Sequence, residues 1–141
     1  MLPETIVLAD MEAGLEHLSW AGGTLRHADL LLVVANPQVK SLLTASRTIA
    51  LGRQLGIPEI GLVGNRAGDD DRHHLEAFAG DHGVDLLGVI PEDEAIIRAD
   101  RAGHCLLDMQ PSASAVEGIE ALAAVISRAD ARSRPRCTPF E

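Results

Sequence analysis

Asp10 and Gly14 stand four residues apart at the end of an apolar run, Ile6 to Ala9, within the stretch T-I-V-L-A-D-M-E-A-G-L-E-H-L from Thr5 to Leu18. Those two residue types at that spacing have a chemistry. An aspartate at the carboxyl end of a strand can hold a metal-bound water or a phosphate-bound Mg²⁺, and a glycine, lacking Cβ, lets a backbone N–H approach a phosphate. The same spacing also suits a strand followed by a helix cap, so the two residues alone leave both readings open. Two later apolar runs end in polar groups of a similar kind: Gly64-Asn65-Arg66, and Ile90-Pro91-Glu92-Asp93-Glu94.

Other chemistry-bearing residues carry less. His73 and His74 are adjacent on a predicted helix, where neighbouring side chains diverge, and the i, i+4 spacing of a helical metal pair is missing; they read as solvated surface. His104-Cys105 could ligate a soft metal, but a buried cysteine beside an ordinary histidine is the simpler reading. Asp69, Asp70 and Asp71 fall where a helix should begin, so they read as caps that offset the helix dipole. No serine, histidine and acid arrangement for nucleophilic catalysis stands out. Cys105 and Cys137 are far apart and outside any C-x-x-C pair, which argues against a disulfide framework or structural zinc. Trp20, the single tryptophan, is assigned to packing on the sheet or to a subunit contact.

The elements that must position these residues follow from hydrophobic patterning. Asp29 to Asn36, D-L-L-L-V-V-A-N, is continuously apolar over strand length, as expected when both faces are covered in a parallel sheet. Leu42, Leu43, Ala45, Ile49 and Leu55 recur at helical spacing between Gln38 and Leu55, with Gly56 as the stop. Further strands are predicted over Glu59 to Val63 and Asp85 to Ile90, and helices to about Asp81, over about Asp93 to Ala102, and from Pro111-Ser112 through the stripe Val116, Ile119, Leu122, Ala123 and Ile126. Leu15 to His27 reads as a helix broken at Gly22-Gly23. Strands alternating with helices define a doubly wound α/β fold with a mostly parallel sheet flanked by helices. Residues 1–128 form one domain and residues 129–141 a polar, proline-broken tail.

Composition fits that reading. With 141 residues, 46% hydrophobic and 23% charged, the chain can bury a core. Its net charge of −9 repels nucleic-acid phosphates, and 2% aromatics leave little for base stacking, so no nucleic-acid partner is expected. No apolar run reaches bilayer length and Met1 to Glu4 carry no basic n-region; no membrane association is expected, and the chain reads as cytoplasmic.

Taken in order, D-M-E-A-G-L-E-H-L, G-N-R and I-P-E-D-E, with Ala99-Asp100 and Gly103 behind the last, resemble the carboxyl-terminal half of the MinD/ParA group of P-loop ATPases. Within it the D-M-E-A-G-L-E-H-L stretch is most like the CooC-type ATPases that help mature nickel carbon monoxide dehydrogenase. The resemblance covers roughly Thr5 to Gly103 and implies ATP and Mg²⁺ as cofactors. It gives Asp10 the catalytic acid that holds the Mg²⁺-bound water, Gly14 an N–H donor to a terminal phosphate, and Asn65 with Arg66 the adenine-reading element. Pro91, Glu92 and Asp93 then line the adenine and ribose. Glu16 and His17 match the E-H of the CooC branch without an assigned chemistry.

The chain departs from that group in lacking the glycine-rich phosphate loop. Lys40 is the only lysine, and a loop ending in Lys40-Ser41 would need glycines where Val34 and Val39 stand. ATP hydrolysis by this chain alone is therefore not expected. The paired metal-binding cysteines of the CooC branch are also missing. The resemblance implies a partial P-loop NTPase-like sheet without the phosphate-loop strand, and a gap with unpaired N–H and C=O groups beside the strand at Asp29 to Asn36. Three closures are open: a separate amino-terminal half carrying the phosphate loop, association of two copies, or direct pairing of the flanking strands. The expected function is a half-length MinD/CooC-like nucleotide-binding module with an incomplete ATP site and a role in metalloenzyme maturation, serving a metalloenzyme client. The alternative is a non-catalytic, homo-oligomeric interaction protein derived from such an ATPase. A natural half-protein and a truncated one fit the sequence equally.

Overall fold

The computed structural model describes residues 6–11 and 27–133. Among them, three strands build one parallel sheet in the order β1-β2-β3: β1 (Leu30–Ala35), β2 (Glu59–Ala67) and β3 (Asp85–Pro91). Helices α1 (Val39–Gln54), α2 (Asp71–Asp81), α3 (Glu94–Ala102), the short α4 (Leu106–Met109) and α5 (Ser114–Ser133) complete the described chain. The alternating β-α order of the sequence thus becomes an α/β parallel sheet, as the continuous apolar runs require.

β2 is the central strand, and its Leu62 and Val63 are both essentially inaccessible although they point to opposite faces. On one face α1 and α2 supply Leu42, Ala45, Ile49, Leu75 and Ala79 to a single cluster with Val33, Ala35 and Leu62. The α1 residues recur at helical spacing, so one stripe of that helix enters the core. Val89 of β3 packs on this cluster, whereas the preceding Gly88 meets Leu122 of α5. Successive strand residues face opposite ways, so α5 covers the other face and the sheet is doubly wound. α5 crosses β3 closely: a Cβ on Gly118 would lie 3.1 Å from the Val89 carbonyl oxygen and 3.3 Å from Ile90 Cα.

Several sequence expectations change, among them the burial of Cys105 and the covering of both faces of β1, since Cys105 and Val34 are exposed. Ile6 to Ala9, expected as a strand, pairs with nothing among the described residues; Ile6, Val7 and Leu8 are 60%, 84% and 82% exposed. A strand exists only through its ladder, and apolar composition without a hydrogen-bonded neighbour does not make one. The Asp69 to Asp71 cap is narrower than expected, since Asp71 alone reaches back, its Oδ2 accepting the Gly68 N–H at 2.7 Å. α5 runs to Ser133, five residues into the stretch expected as tail. There the sequence A-D-A-R-S keeps helix-compatible residues until proline at position 135. The helix expected from Leu15 to His27 lies largely outside the described residues, as do Gly14, Glu16, His17 and Trp20.

Gly64 shows how tightly the sheet accepts α2. A Cβ there would sit 2.5 Å from Cδ1 of Leu75, which is itself fully buried and has nowhere to move. Gly64→Ala is expected to lower the unfolding free energy by about 1–3 kcal/mol, read from urea denaturation.

Candidate functional site at the carboxyl edge of the sheet

In a parallel sheet all strands deliver their carboxyl ends to one edge, where ligands bind. Register brings specific residues together there. Asn65 pairs with Ile90 and Ala67 with Pro91, so Arg66 is the extra residue of a register shift between β2 and β3. Its φ of 53° is the only positive value at a described non-glycine residue, a left-handed conformation that costs about 1–3 kcal/mol when a side chain is present. The bulge turns the Arg66 side chain out of the ladder and onto the edge. Its Nη2 lies 3.3 Å from Glu92 Oε1, with both side chains about two-thirds exposed (66% and 64%). The Glu92 N–H donates to the Ala67 carbonyl at 3.2 Å, which tacks the loop after β3 onto the end of β2.

A cleft of about 130 Å³ opens here, lined by Asn36, Pro37, Gln38, Arg66 and Glu92. Asn36 Oδ1 accepts the Gln38 N–H at 3.2 Å, and the Asn36 N–H donates to Ser41 Oγ at 3.1 Å, which together set the turn from β1 into α1. A larger groove of about 650 Å³ lies at the opposite pole, bordered by the amino-terminal strand residues Leu30, Glu59 and Asp85. It carries none of the sequence-predicted site residues.

The structure therefore gathers Asn65, Arg66, Pro91 and Glu92 at neighbouring strand ends. Asp93 has different work. Its Oδ1 accepts the Ala95 N–H at 2.8 Å, capping α3, while Oδ2 accepts Ser114 Oγ at 2.8 Å and the Ala115 N–H at 3.2 Å, capping α5. One carboxylate thus ties two helix starts to the loop that carries Pro91 and Glu92. The Ala95 N–H, then Ser114 Oγ and the Ala115 N–H, hold its carboxyl below the ordinary aspartate range. Asp10 is exposed and does not line the cleft; Gly14 lies outside the described residues. Sequence reasoning missed Asn36, Pro37 and Gln38. The signal was the Asn-Pro directly after an apolar run, which reads equally well as a strand stop.

Comparison with known proteins now bears on this edge. The family of 4Fe-4S iron sulfur cluster binding proteins, NifH/frxC, matches residues 23–140. The chain belongs to that family. It is 41% identical over 106 residues to the carbon monoxide dehydrogenase accessory protein CooC of Rhodospirillum rubrum, covering 75% of this chain and 39% of that one. It is 36% identical over 101 residues to an uncharacterized ATP-binding protein of Methanocaldococcus jannaschii, covering 71% and 38%. The structure of the cell division ATPase MinD of Pyrococcus furiosus superposes with a TM-score of 0.66 at 26% identity, over 85% of this chain and 49% of that one. The MinD and CooC resemblance and the α/β P-loop NTPase-like fold hold, and the chain spans about two-fifths of the curated relatives it matches. A 4Fe-4S cluster needs four thiolate-type ligands. The described residues offer one exposed cysteine, Cys105, and no group of three or more metal-ligating side chains, so they do not form a cluster site. No described helix is long and apolar enough to cross a membrane.

The Asp93 junction yields a pH test. Because its folded pKa is depressed, its contribution is fully present above the unfolded value of about 4 and is lost as pH falls through the folded value. Asp93→Ala is expected to lower Tm by a few degrees at pH 7. The difference should shrink once the solution is more acidic than about pH 4, as thermal melts across pH will show.

Proposed function

We propose that this chain supplies the base-binding side of an ATP site whose phosphate loop comes from another segment or a separate amino-terminal half. The observation that carries this reading is the meeting of Asn65, Arg66, Pro91 and Glu92 at adjacent carboxyl strand ends beside a polar cleft. The ATP-binding and accessory proteins among its relatives support it. The donor set suits a nucleoside: a carboxamide can both donate to and accept from a purine edge, and proline offers a flat apolar contact. The cradle for phosphates is not among these 141 residues, which contain a single lysine.

In the completed site Asp10 would hold Mg²⁺ through water and Gly14 would offer its N–H to the terminal phosphate. Mg²⁺ held there would supply charge neutralisation on the phosphates as the terminal phosphoryl group passes from ADP to water. Asn65, Arg66, Pro91 and Glu92 would fix the nucleotide's position, and Asp93 holds their loop in place. A role in maturation of a metalloenzyme client is supported by likeness to the carbon monoxide dehydrogenase accessory protein, and the setting proposed for it is the cytoplasm.

A second reading, a homo-oligomeric interaction protein without nucleotide, is favoured by a specific observation. β1 is ladder-bonded on one side only among the described residues, and its Val34 is 59% exposed; the apolar Ile6, Val7 and Leu8 are exposed as well. Apolar edges of this kind associate.

Calorimetry with Mg-ATP separates the two readings. On the nucleotide reading the chain binds ATP weakly, and Asn65→Ala weakens binding about tenfold. No heat at millimolar ATP, together with a stable dimer by light scattering, establishes the second reading instead.

A further inference from the structure

The cleft holds hydrogen-bonding groups that the fold does not use. Asn36 Oδ1 is taken by the Gln38 N–H, but among the described residues its Nδ2 has no partner, and neither does the Gln38 carboxamide. Both residues line the same 130 Å³ cleft as Arg66 and Glu92. Of the two Glu92 oxygens, Oε1 faces Arg66 and Oε2 remains free. The cleft takes residues from the turn after β1, the end of β2 and the loop after β3, so Glu92, which directly follows Pro91, faces the same space as Asn36 and Gln38.

We propose that Asn36 and Gln38 form a ribose-reading wall, hydrogen-bonding the vicinal 2′ and 3′ hydroxyls of a ribonucleoside whose base lies against Asn65 and Pro91. The inference rests on the nucleotide reading above and assigns its sugar specificity. Each hydroxyl is both donor and acceptor. A carboxamide supplies the complement of each, and Glu92 Oε2 accepts from either. The cleft has room for about four waters at ~30 Å³ each, the space a furanose ring displaces. A wall of this kind discriminates by leaving its own groups unpaired when a hydroxyl is missing.

The test uses nucleosides without phosphate, so the phosphate loop is not needed. The ¹⁵N-labelled chain is titrated with adenosine and with 2′-deoxyadenosine, and the side-chain amides of Asn36, Gln38 and Asn65 are followed by NMR. Adenosine is expected to bind in about the millimolar range and 2′-deoxyadenosine about fivefold weaker. Gln38→Ala should cut that preference to about twofold or less. This variant is chosen because the Gln38 side chain makes no contact that the turn depends on, whereas Asn36→Ala also removes the Asn36–Gln38 bond. Equal affinity for the two nucleosides, or a preference untouched by Gln38→Ala, overturns the ribose wall and leaves the base reading standing. Binding of neither nucleoside, or shifts confined to the groove bordered by Leu30, Glu59 and Asp85, overturns both.

Discussion

The parallel pairing of β2 with a strand on each side is the constraint from which the site follows. It fixes which residues share the carboxyl edge, because sliding either ladder by one residue would exchange the faces of every side chain on that strand. Small residues make the tight layers possible. Gly64 admits Leu75 of α2, Gly88 admits Leu122, and Gly118 lets α5 approach the β3 backbone. The one place where the β2–β3 register yields at the carboxyl end is Arg66, and there the strand accepts a left-handed residue that redirects a guanidinium toward Glu92. Strain at that point, the one positive φ at a described non-glycine residue, fits a position shaped by recognition more than by folding.

The edge is also divided by function. Both oxygens of Asp93 are engaged by two helix starts, Oδ1 by one bond and Oδ2 by two. Glu92, its neighbour, is exposed and keeps one oxygen unengaged. Two adjacent acids in one loop thus separate cleanly into a positioning residue and a group available for binding. Local hydrogen bonding makes the difference, since sequence alone treats them as equivalent.

Much of this was legible beforehand for physical reasons. Leu30–Ala35 and the apolar run within Asp85–Pro91 were readable as strands from continuous hydrophobicity at strand length, although Val34 leaves one face of β1 open, and the buried α1 stripe follows helical spacing. Asn65, Arg66, Pro91 and Glu92 were singled out by the resemblance to the MinD and CooC group, and the ladder places them at neighbouring strand ends. What was not legible depends on partners distant in sequence. Ile6 to Ala9 has strand composition, but pairing is a property of two segments. The role of Asp93 depends on Ser114 and Ala115, 21 and 22 residues away. The place of Asn36 and Gln38 beside Arg66 emerges only when β1 is laid beside β2.

The central claim is that a nucleoside base is received at the joint of β2 and β3, on an edge that another segment completes for phosphates. A crystal structure of the chain with an adenine nucleotide tests it most directly. The account predicts density for the purine ring between Asn65 and Pro91, with the sugar directed toward Asn36 and Gln38. Purine density in the groove at the amino ends of the strands, or none at saturating nucleotide, would contradict it.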